Sequence, residues 1–334
     1  MMRAVEQPFH LPADLNASSP PEERGLRRDH VKLMVLQKET GAVAHDVFCH
    51  LGDYLQKGDL LLLNNSRTLP AVLKTICGKE VRLARKWENG DWDVLVIDEG
   101  TKEGDNLHFP GKLMAKVINK VEGMPLWTVS FNQADELFYD WLYRFGEPIR
   151  YEYIDTPWEL ERYQTVYASV PGSTEMPSAG RAFTWELLFD LQKKGVQLGF
   201  LQLHTGLSDF LDDHYPVRPE GNPEYYHIPA ETLNGIQGTK KEGGRIIAVG
   251  TTVVRAVESA ILTGKASGFT NLFIGEDYQR RTIDGLLTGF HEADASHLDL
   301  LSSFIDSHKL IHAYEMAIQN RYLWHEFGDM NLII

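Results

Sequence analysis

The spacing of apolar residues changes twice along this 334-residue chain, and each change predicts a different kind of structure. Within the early stretch from Asp59 to Asn64, Leu60 to Leu63 leaves no polar position between its leucines, the pattern of a strand buried on both faces. From about Pro70 to Phe131 short strand-like runs take over, at 71–76, 81–84, 92–97, 112–118 and 126–131. Gly78, Asn89-Gly90, Gly100, Gly104, Pro110-Gly111 and Gly123 punctuate them at hairpin intervals, which predicts a small antiparallel barrel or sandwich.

Beyond Phe131 strands and helices alternate. A helix is predicted over 186–194, capped by Thr184 and stopped by Gly195, followed by a strand over 198–203. A strand over 245–249 runs through Gly250, Thr251 and Thr252 into an amphipathic helix. Val253, Val254, Val257, Ala260 and Ile261 share one face of that helix, and Gly264 ends it. Strands over 271–274 and 283–288 and helices over 296–305 and 309–320 complete the pattern. The fold class expected is α/β: a mixed-sheet α/β domain made of residues 1–66 and 150–334, interrupted by an inserted antiparallel β-barrel-like domain over 67–149.

Composition adds boundaries to this picture. With 43% apolar and 10% aromatic residues the chain can build a core, which excludes whole-chain disorder. No apolar run reaches the roughly 18 residues of a membrane helix, and the N-terminal MMRAVEQPFHLPADL has no signal-peptide stretch, so a cytoplasmic protein without a membrane partner is expected. Cys49 and Cys77 are read as packed thiols, with no CxxC to imply a disulfide framework or zinc knuckle.

The formal charge is −14, and its excess lies late in the chain. Residues 1–60 carry 7 basic and 9 acidic groups, residues 61–150 carry 12 and 13, and the remainder carries 14 and 25. Acidity alone argues mildly against a nucleic-acid partner. The near-neutral first part nevertheless holds two basic clusters: Arg24, Arg27, Arg28, His30 and Lys32, then Lys79, Arg82, Arg85 and Lys86. Each is either a solvated surface or, if RNA binds, a source of phosphate contacts.

Candidate chemistry concentrates at element ends. Gly250-Thr251-Thr252 at a helix start offers backbone N–H groups, two hydroxyls and the positive end of the helix dipole to a carboxylate or phosphate, or is simply a capped turn. Arg67, just past the leucine run, is suited to a bidentate anion contact or to a turn. Tyr163 and Tyr167 can stack on a base or pack in the core, within a long loop rich in hydrogen-bonding groups. His204 follows a strand, and Asp284 and His291 flank another; the two histidines are candidate proton carriers, with a structural hydrogen bond as the alternative. Asp209, Asp212, Asp213 and His214 form a weak metal-like string better read as a solvated acidic loop.

Taken in order, GDLLLLNNSRTLPAVL, ERYQTVYASVPGSTEMPSAG, EYYHIPAETLNGI, GGRIIAVGTTVVRAVESA, TNLFIGEDYQRRTIDGLLTGFH, AYEMAIQNRYLW and FGDMNLI resemble the S-adenosylmethionine:tRNA ribosyltransferase-isomerase family of queuosine biosynthesis. The resemblance implies an α/β domain with an inserted β-barrel. It also implies transfer of the ribosyl part of S-adenosylmethionine to an aminomethyl-deazaguanine base at the tRNA wobble position. Rearrangement to epoxyqueuosine follows, with release of adenine and methionine and with no metal. By residue type, the catalytic candidates for such a reaction are His204, His291 and Asp284. The substrate-binding candidates are Asn65, Arg67, Tyr163, Gln164, Thr165, Glu224, Tyr226, Gly250, Thr251, Thr252 and Arg255.

The chain also departs from the family pattern. Asn64-Asn65-Ser66-Arg67 replaces Asn-Asp-Thr-Arg, Ala182 and Pro223 stand where histidines are expected, and Gly289 replaces an asparagine before Phe290-His291. Proton carriers are thereby lost. Two alternatives stay open at the level of sequence: a divergent paralogue using S-adenosylmethionine on another acceptor, and a non-catalytic RNA- or S-adenosylmethionine-binding protein.

Overall fold

The computed structural model of the chain describes residues 9–208, 210, 221–291 and 296–334. In chain order these residues form β1 (Lys32–Leu36), β2 (Val43–Val47), β3 (Leu60–Asn64) and β4 (Ser66–Thr68). Then come β5 (Val72–Lys74), β6 (Glu80–Lys86), β7 (Trp92–Ile97), β8 (Asn106–His108), β9 (Met114–Lys120), β10 (Leu126–Phe131) and α1 (Asp135–Phe145). The remainder supplies β11 (Val170–Ser173), α2 (Trp185–Lys194), β12 (Gln197–Leu203), β13 (Glu224–His227), α3 (Ala230–Glu242), β14 (Ile246–Val249) and α4 (Thr251–Thr263). After these come β15 (Ser267–Thr270), β16 (Gly285–Gly289), α5 (Ser296–Ser302), α6 (Ser307–Gln319) and β17 (Met330–Ile333).

Nine of the described strands make one mixed sheet in the order β15-β13-β12-β3-β14-β16-β17-β1-β2. The leucine run explains its centre. In a strand successive side chains point to opposite faces, and Leu60 and Leu62 enter one apolar cluster while Leu61 and Leu63 enter another. Each buried leucine contributes roughly 1.5–3 kcal/mol, so one uninterrupted run anchors both layers. The first layer holds Val253 and Val257 of α4 with the aromatic group Phe290, Tyr314 and Trp324; the second holds Phe183, Leu188 and Leu191. β12, β3, β14 and β16 run parallel, and their carboxyl ends therefore share one edge of the sheet.

The stretch from β5 to β10 forms a curled antiparallel sheet in the order β5-β6-β7-β10-β9-β8. It has its own core, in which α1 packs Phe138, Trp141 and Leu142 against Trp92 and Phe109. Leu207 and Phe210, which follow β12 of the large sheet, are also buried in this core and tie the two sheets together. The α/β class with a second, curled antiparallel sheet is thus as expected.

Several elements differ from the sequence reading. The strand expected over 271–274 lies instead at β15, because β13 pairs with Ser267–Thr270 and the Leu272 carbonyl accepts from Arg255 Nε at 3.1 Å rather than from a neighbouring strand. Cys77, expected to be packed, is exposed in the turn between β5 and β6. The acidic string Asp209, Asp212, Asp213 and His214 lies outside the described residues. Among the described residues no helix is long and apolar enough to cross a membrane.

Candidate active site

Ligands of parallel α/β sheets bind outside the carboxyl ends of the strands, near the point where the strand order reverses. Here the chain passes from β3 to β12 on one side and later to β14 on the other, and a cavity of about 380 Å³ opens at that edge. Its floor is Gly250, Thr251 and Thr252. Gly250 takes φ +94°, a conformation that side-chain-bearing residues rarely adopt, and an added Cβ would lie 3.3 Å from that of Ala179. This turn lets β14 pass directly into α4. The first N–H groups of the helix, without intrahelical acceptors, then face the cavity with the positive end of the dipole.

Arg255 follows Thr252 by three residues and so shares its face of the helix. Its Nη1 donates to Glu224 Oε2 and its Nε to the Leu272 carbonyl, while Nη2 is buried with no hydrogen-bond partner among the described residues. Glu224 in turn accepts from the Gly206 N–H at 3.0 Å through Oε1. An anion-ready helix start and an arginine with an unsatisfied guanidinium N–H are therefore both residues of the same cavity lining.

Across from them lies Glu175, which sequence reasoning did not single out. Ser208 donates to it twice, from N–H to Oε1 and from Oγ to Oε2, both at 2.6 Å. Burial outweighs these bonds and pushes its carboxyl up to about 7, where a group can both give and take a proton near neutral pH. His291 lines the cavity, bonded to Thr288 Oγ1 at 3.3 Å and stacked on His297 with centroids 4.0 Å apart. His325 stacks on Tyr153 and bonds Asn16. The sequence signals for Glu175 are its place in the long loop rich in hydrogen-bonding groups and in the motif ERYQTVYASVPGSTEMPSAG, and His297 and His325 carry none beyond residue type.

Burial keeps all these imidazoles neutral. It holds His297 and His325 at about 4, and it holds His291 well below the ordinary histidine value, with His297 and His325 adding to the effect. His204 is held at about 4 by burial and by the nearby charge of Lys86. In the unfolded chain each would titrate near 6.5. Between about 6.5 and 4 the unfolded state therefore binds protons that the folded state does not, and stability falls as pH falls. Glu175 acts in the opposite direction between about 4.5 and 7, since there the folded state keeps a proton that the unfolded chain has lost. The three histidines of the cavity and His204 beside it outnumber the one carboxyl, so together these groups should make the protein less stable at pH 5 than at pH 7.5. Urea midpoints at the two pH values check this; a higher midpoint at pH 5 would contradict the neutral-histidine assignment.

The other candidates are dispersed. His204 lies outside this cavity, in an adjoining groove, where its Nδ1 bonds Ser66 Oγ at 2.7 Å and its ring occupies the space a Cβ at Gly172 would need. Asp284 sits at the opposite end of β14, accepting from the Ile246 N–H at 2.9 Å. Four strand residues at about 3.3 Å each separate it from the Gly250 edge by roughly 13 Å. Gln164 holds the Thr68 backbone with both ends of its amide, at 3.1 and 2.8 Å. Tyr163 packs on Phe327, the Thr165 hydroxyl is buried without a hydrogen-bond partner among the described residues, and the Tyr226 hydroxyl bonds Thr263 and the Lys265 carbonyl. Tyr167, the other stacking candidate, is buried in the core beside Phe183. Asn65 bonds Ser169 and Gln202, and Arg67 lies over the Tyr143 ring. Ala182 and Gly289, two of the shortened family positions, line one recess with His325 and Glu326.

Both basic clusters are committed to internal partners. Arg27 pairs with Asp29 and Arg28 with Glu22, while Arg24 and Lys32 donate to backbone carbonyls. Lys79 pairs with Asp98, Arg82 with Glu80, Arg85 with the buried Asp93, and Lys86 with Asp135.

A mixed α/β sheet with an anion-accepting helix start, a carboxyl titrating near neutrality and neutral imidazoles in one cleft defines an enzyme-type site for a small substrate that carries an anionic group. Comparison with known proteins makes this specific. Residues 6–333 match the model of the queuosine biosynthesis protein family. The chain is 37% identical, over the full length of both proteins, to the S-adenosylmethionine:tRNA ribosyltransferase-isomerase of Carboxydothermus hydrogenoformans. It is also similar to the crystal structure of the S-adenosylmethionine tRNA ribosyltransferase of Thermotoga maritima, with a TM-score of 0.58 and 30% identity over 98% of this chain and 99% of that one. The chain belongs to the queuosine biosynthesis protein family.

Proposed function

We propose that the protein transfers the ribosyl part of S-adenosylmethionine to the aminomethyl-deazaguanine base at the wobble position of cytoplasmic tRNA. It then rearranges that part to the epoxycyclopentane of epoxyqueuosine, releasing adenine and methionine. The full-length similarity to a ribosyltransferase-isomerase supports this over the paralogue and binding-module alternatives. The observation in the site that carries the reading is that Arg255, whose Nη2 has no hydrogen-bond partner among the described residues, and the Thr251-Thr252 helix start line the same cavity as a carboxyl titrating near 7.

In this reading the helix start and Arg255 receive the methionine carboxylate. The reaction must lose a proton from the carbon beside the sulfonium and supply one to the departing adenine. Glu175 is suited to carry a proton in either direction, and neutral His291 can accept or donate a hydrogen bond without adding positive charge beside a sulfonium. Asp284 takes no part, because of its place at the far end of β14. We also read 67–149 as an inserted domain, supported by the separate apolar cluster of the curled sheet.

Incubation with S-adenosylmethionine and tRNA carrying the precursor base should release adenine and methionine in step with epoxyqueuosine, detected by nucleoside mass spectrometry. Adenine release with no modified tRNA would move the reading to another acceptor. Arg255→Ala should weaken S-adenosylmethionine binding by about 1.5–3 kcal/mol, the contribution of a charge-assisted hydrogen bond. Calorimetric titration showing unchanged affinity would remove Arg255 from the carboxylate site.

A further inference from the structure

Beside the cavity, on the far side of Glu224 and Thr205, lies a groove of about 310 Å³ whose chemistry differs from its neighbour's. Glu224 and Thr205 line both spaces and form a wall common to the two. Its sides are aromatic. Trp87 stands just past β6, in the turn to β7, and meets Phe269 of β15 at 5.2 Å between ring centroids. Phe269 meets Tyr225 of β13 edge-on at 5.6 Å, and Tyr225 stacks on His204 at 6.0 Å. The groove therefore forms where the curled sheet closes against the large one.

Its cations are placed to serve rings. The Arg85 guanidinium lies 4.9 Å over Trp87 and is itself fixed by Asp93 and Asn222, while Lys86 sits 5.5 Å over Tyr139 at the rim and pairs with Asp135. A fixed guanidinium behind Trp87 makes its indole a rigid platform. His204 adds a hydrogen-bonding edge: its Nδ1 is held by Ser66, and Nε2 has no protein partner among the described residues. Its imidazole is neutral, so it can pair with a base edge as donor or acceptor without charge.

Flat aromatic walls, a neutral hydrogen-bonding edge and paired cations suit an uncharged planar ring better than a phosphate. Unstacked RNA bases are recognised in this way, by stacking on aromatic side chains and hydrogen bonds to their edges. An enzyme that reacts at a base must also take that base out of its stack. We propose that this groove is the berth of the acceptor nucleobase, which stacks on Trp87 and Tyr225 with its edge toward His204 and its reacting substituent toward Glu224 and the cavity. The inference rests on the proposed function for the identity of the base and on the groove alone for its location.

The test uses an anticodon stem-loop RNA carrying the aminomethyl-deazaguanine base, and the same RNA abasic at that position, with affinity read by fluorescence anisotropy. Trp87→Ala should weaken binding of the base-carrying RNA roughly 5- to 150-fold, the range of one lost base stack, and leave the abasic RNA's affinity unchanged. Trp87→Phe should restore most of the loss. S-adenosylmethionine affinity and the urea midpoint, measured on the same variants, should stay at wild-type values. Equal weakening of both RNAs would assign the groove to a flanking nucleotide, and weakened S-adenosylmethionine binding would assign it to the donor; either overturns the proposal, as does unchanged affinity for the base-carrying RNA. Wild-type protein that binds the RNA but modifies no tRNA would sink the proposed function and not the berth.

Discussion

Glu175→Gln should lower turnover by about 10²–10⁴-fold, the usual contribution of a positioned acid–base group, while S-adenosylmethionine affinity stays within a few-fold of wild type. The amide keeps the size and one acceptor oxygen, so the bonds from Ser208 can persist in part. What it loses is the ability to exchange a proton near neutral pH, which burial confers on the carboxyl by raising it to about 7. Single-turnover rates measured against pH separate these effects. Wild-type protein should show a limb near pH 7 that disappears in the variant; a variant with the wild-type rate and the same limb would take Glu175 out of the proton path.

Glu224→Ala should be the most damaging single change at the site for stability, costing about 3–5 kcal/mol, because it leaves a buried guanidinium without its counter-charge. The Arg255 side chain is only 13% exposed, so water cannot easily replace the lost carboxylate. The Gly206 N–H loses its acceptor at the same time. Removing both charges, as in Glu224→Met with Arg255→Met, should recover much of the loss, since an apolar pair leaves no uncompensated charge in the interior. Urea unfolding of the single and double variants decides the point. A single variant within 1 kcal/mol of wild type would mean that solvent reaches the pair.

The parts of the fold that were legible in the sequence are those fixed by local rules. The leucine run before Asn64 reads most simply as a strand covered on both faces, and Thr184 and Gly195 bracket α2 as cap and stop, with Leu187 N–H donating to Thr184 Oγ1 and Gly195 at φ +93°. Strands with weak alternation were not legible. β15 contains Gly268 and takes its place from pairing with β13, a distant segment that no local window reports.

The same division holds for the site. Gly250, Thr251, Thr252, Arg255, Glu224 and His291 line the cavity, and the helix start was legible as one of two readings, beside a simple capped turn. Glu175 could not, because its chemistry comes from burial and from Ser208, 33 residues away, and neither is visible in an isolated carboxylate. Asp284 shows the converse: it neighbours His291 in sequence, yet the length of a strand puts it at the wrong end of the sheet. The partners of the basic clusters were illegible for a related reason, since Asp98 beside Lys79 and Asp93 beside Arg85 are brought there only by folding.

In the proposed function the edge of the sheet at Gly250 holds S-adenosylmethionine by its methionine carboxylate. A crystal structure of the complex tests it most directly. The carboxylate should lie within hydrogen-bonding distance of Arg255 Nη2 and the Thr251 and Thr252 N–H groups, with the ribose between Glu175 and the shared wall at Glu224. S-adenosylmethionine bound at another place, with Arg255 Nη2 still unpartnered, would contradict it.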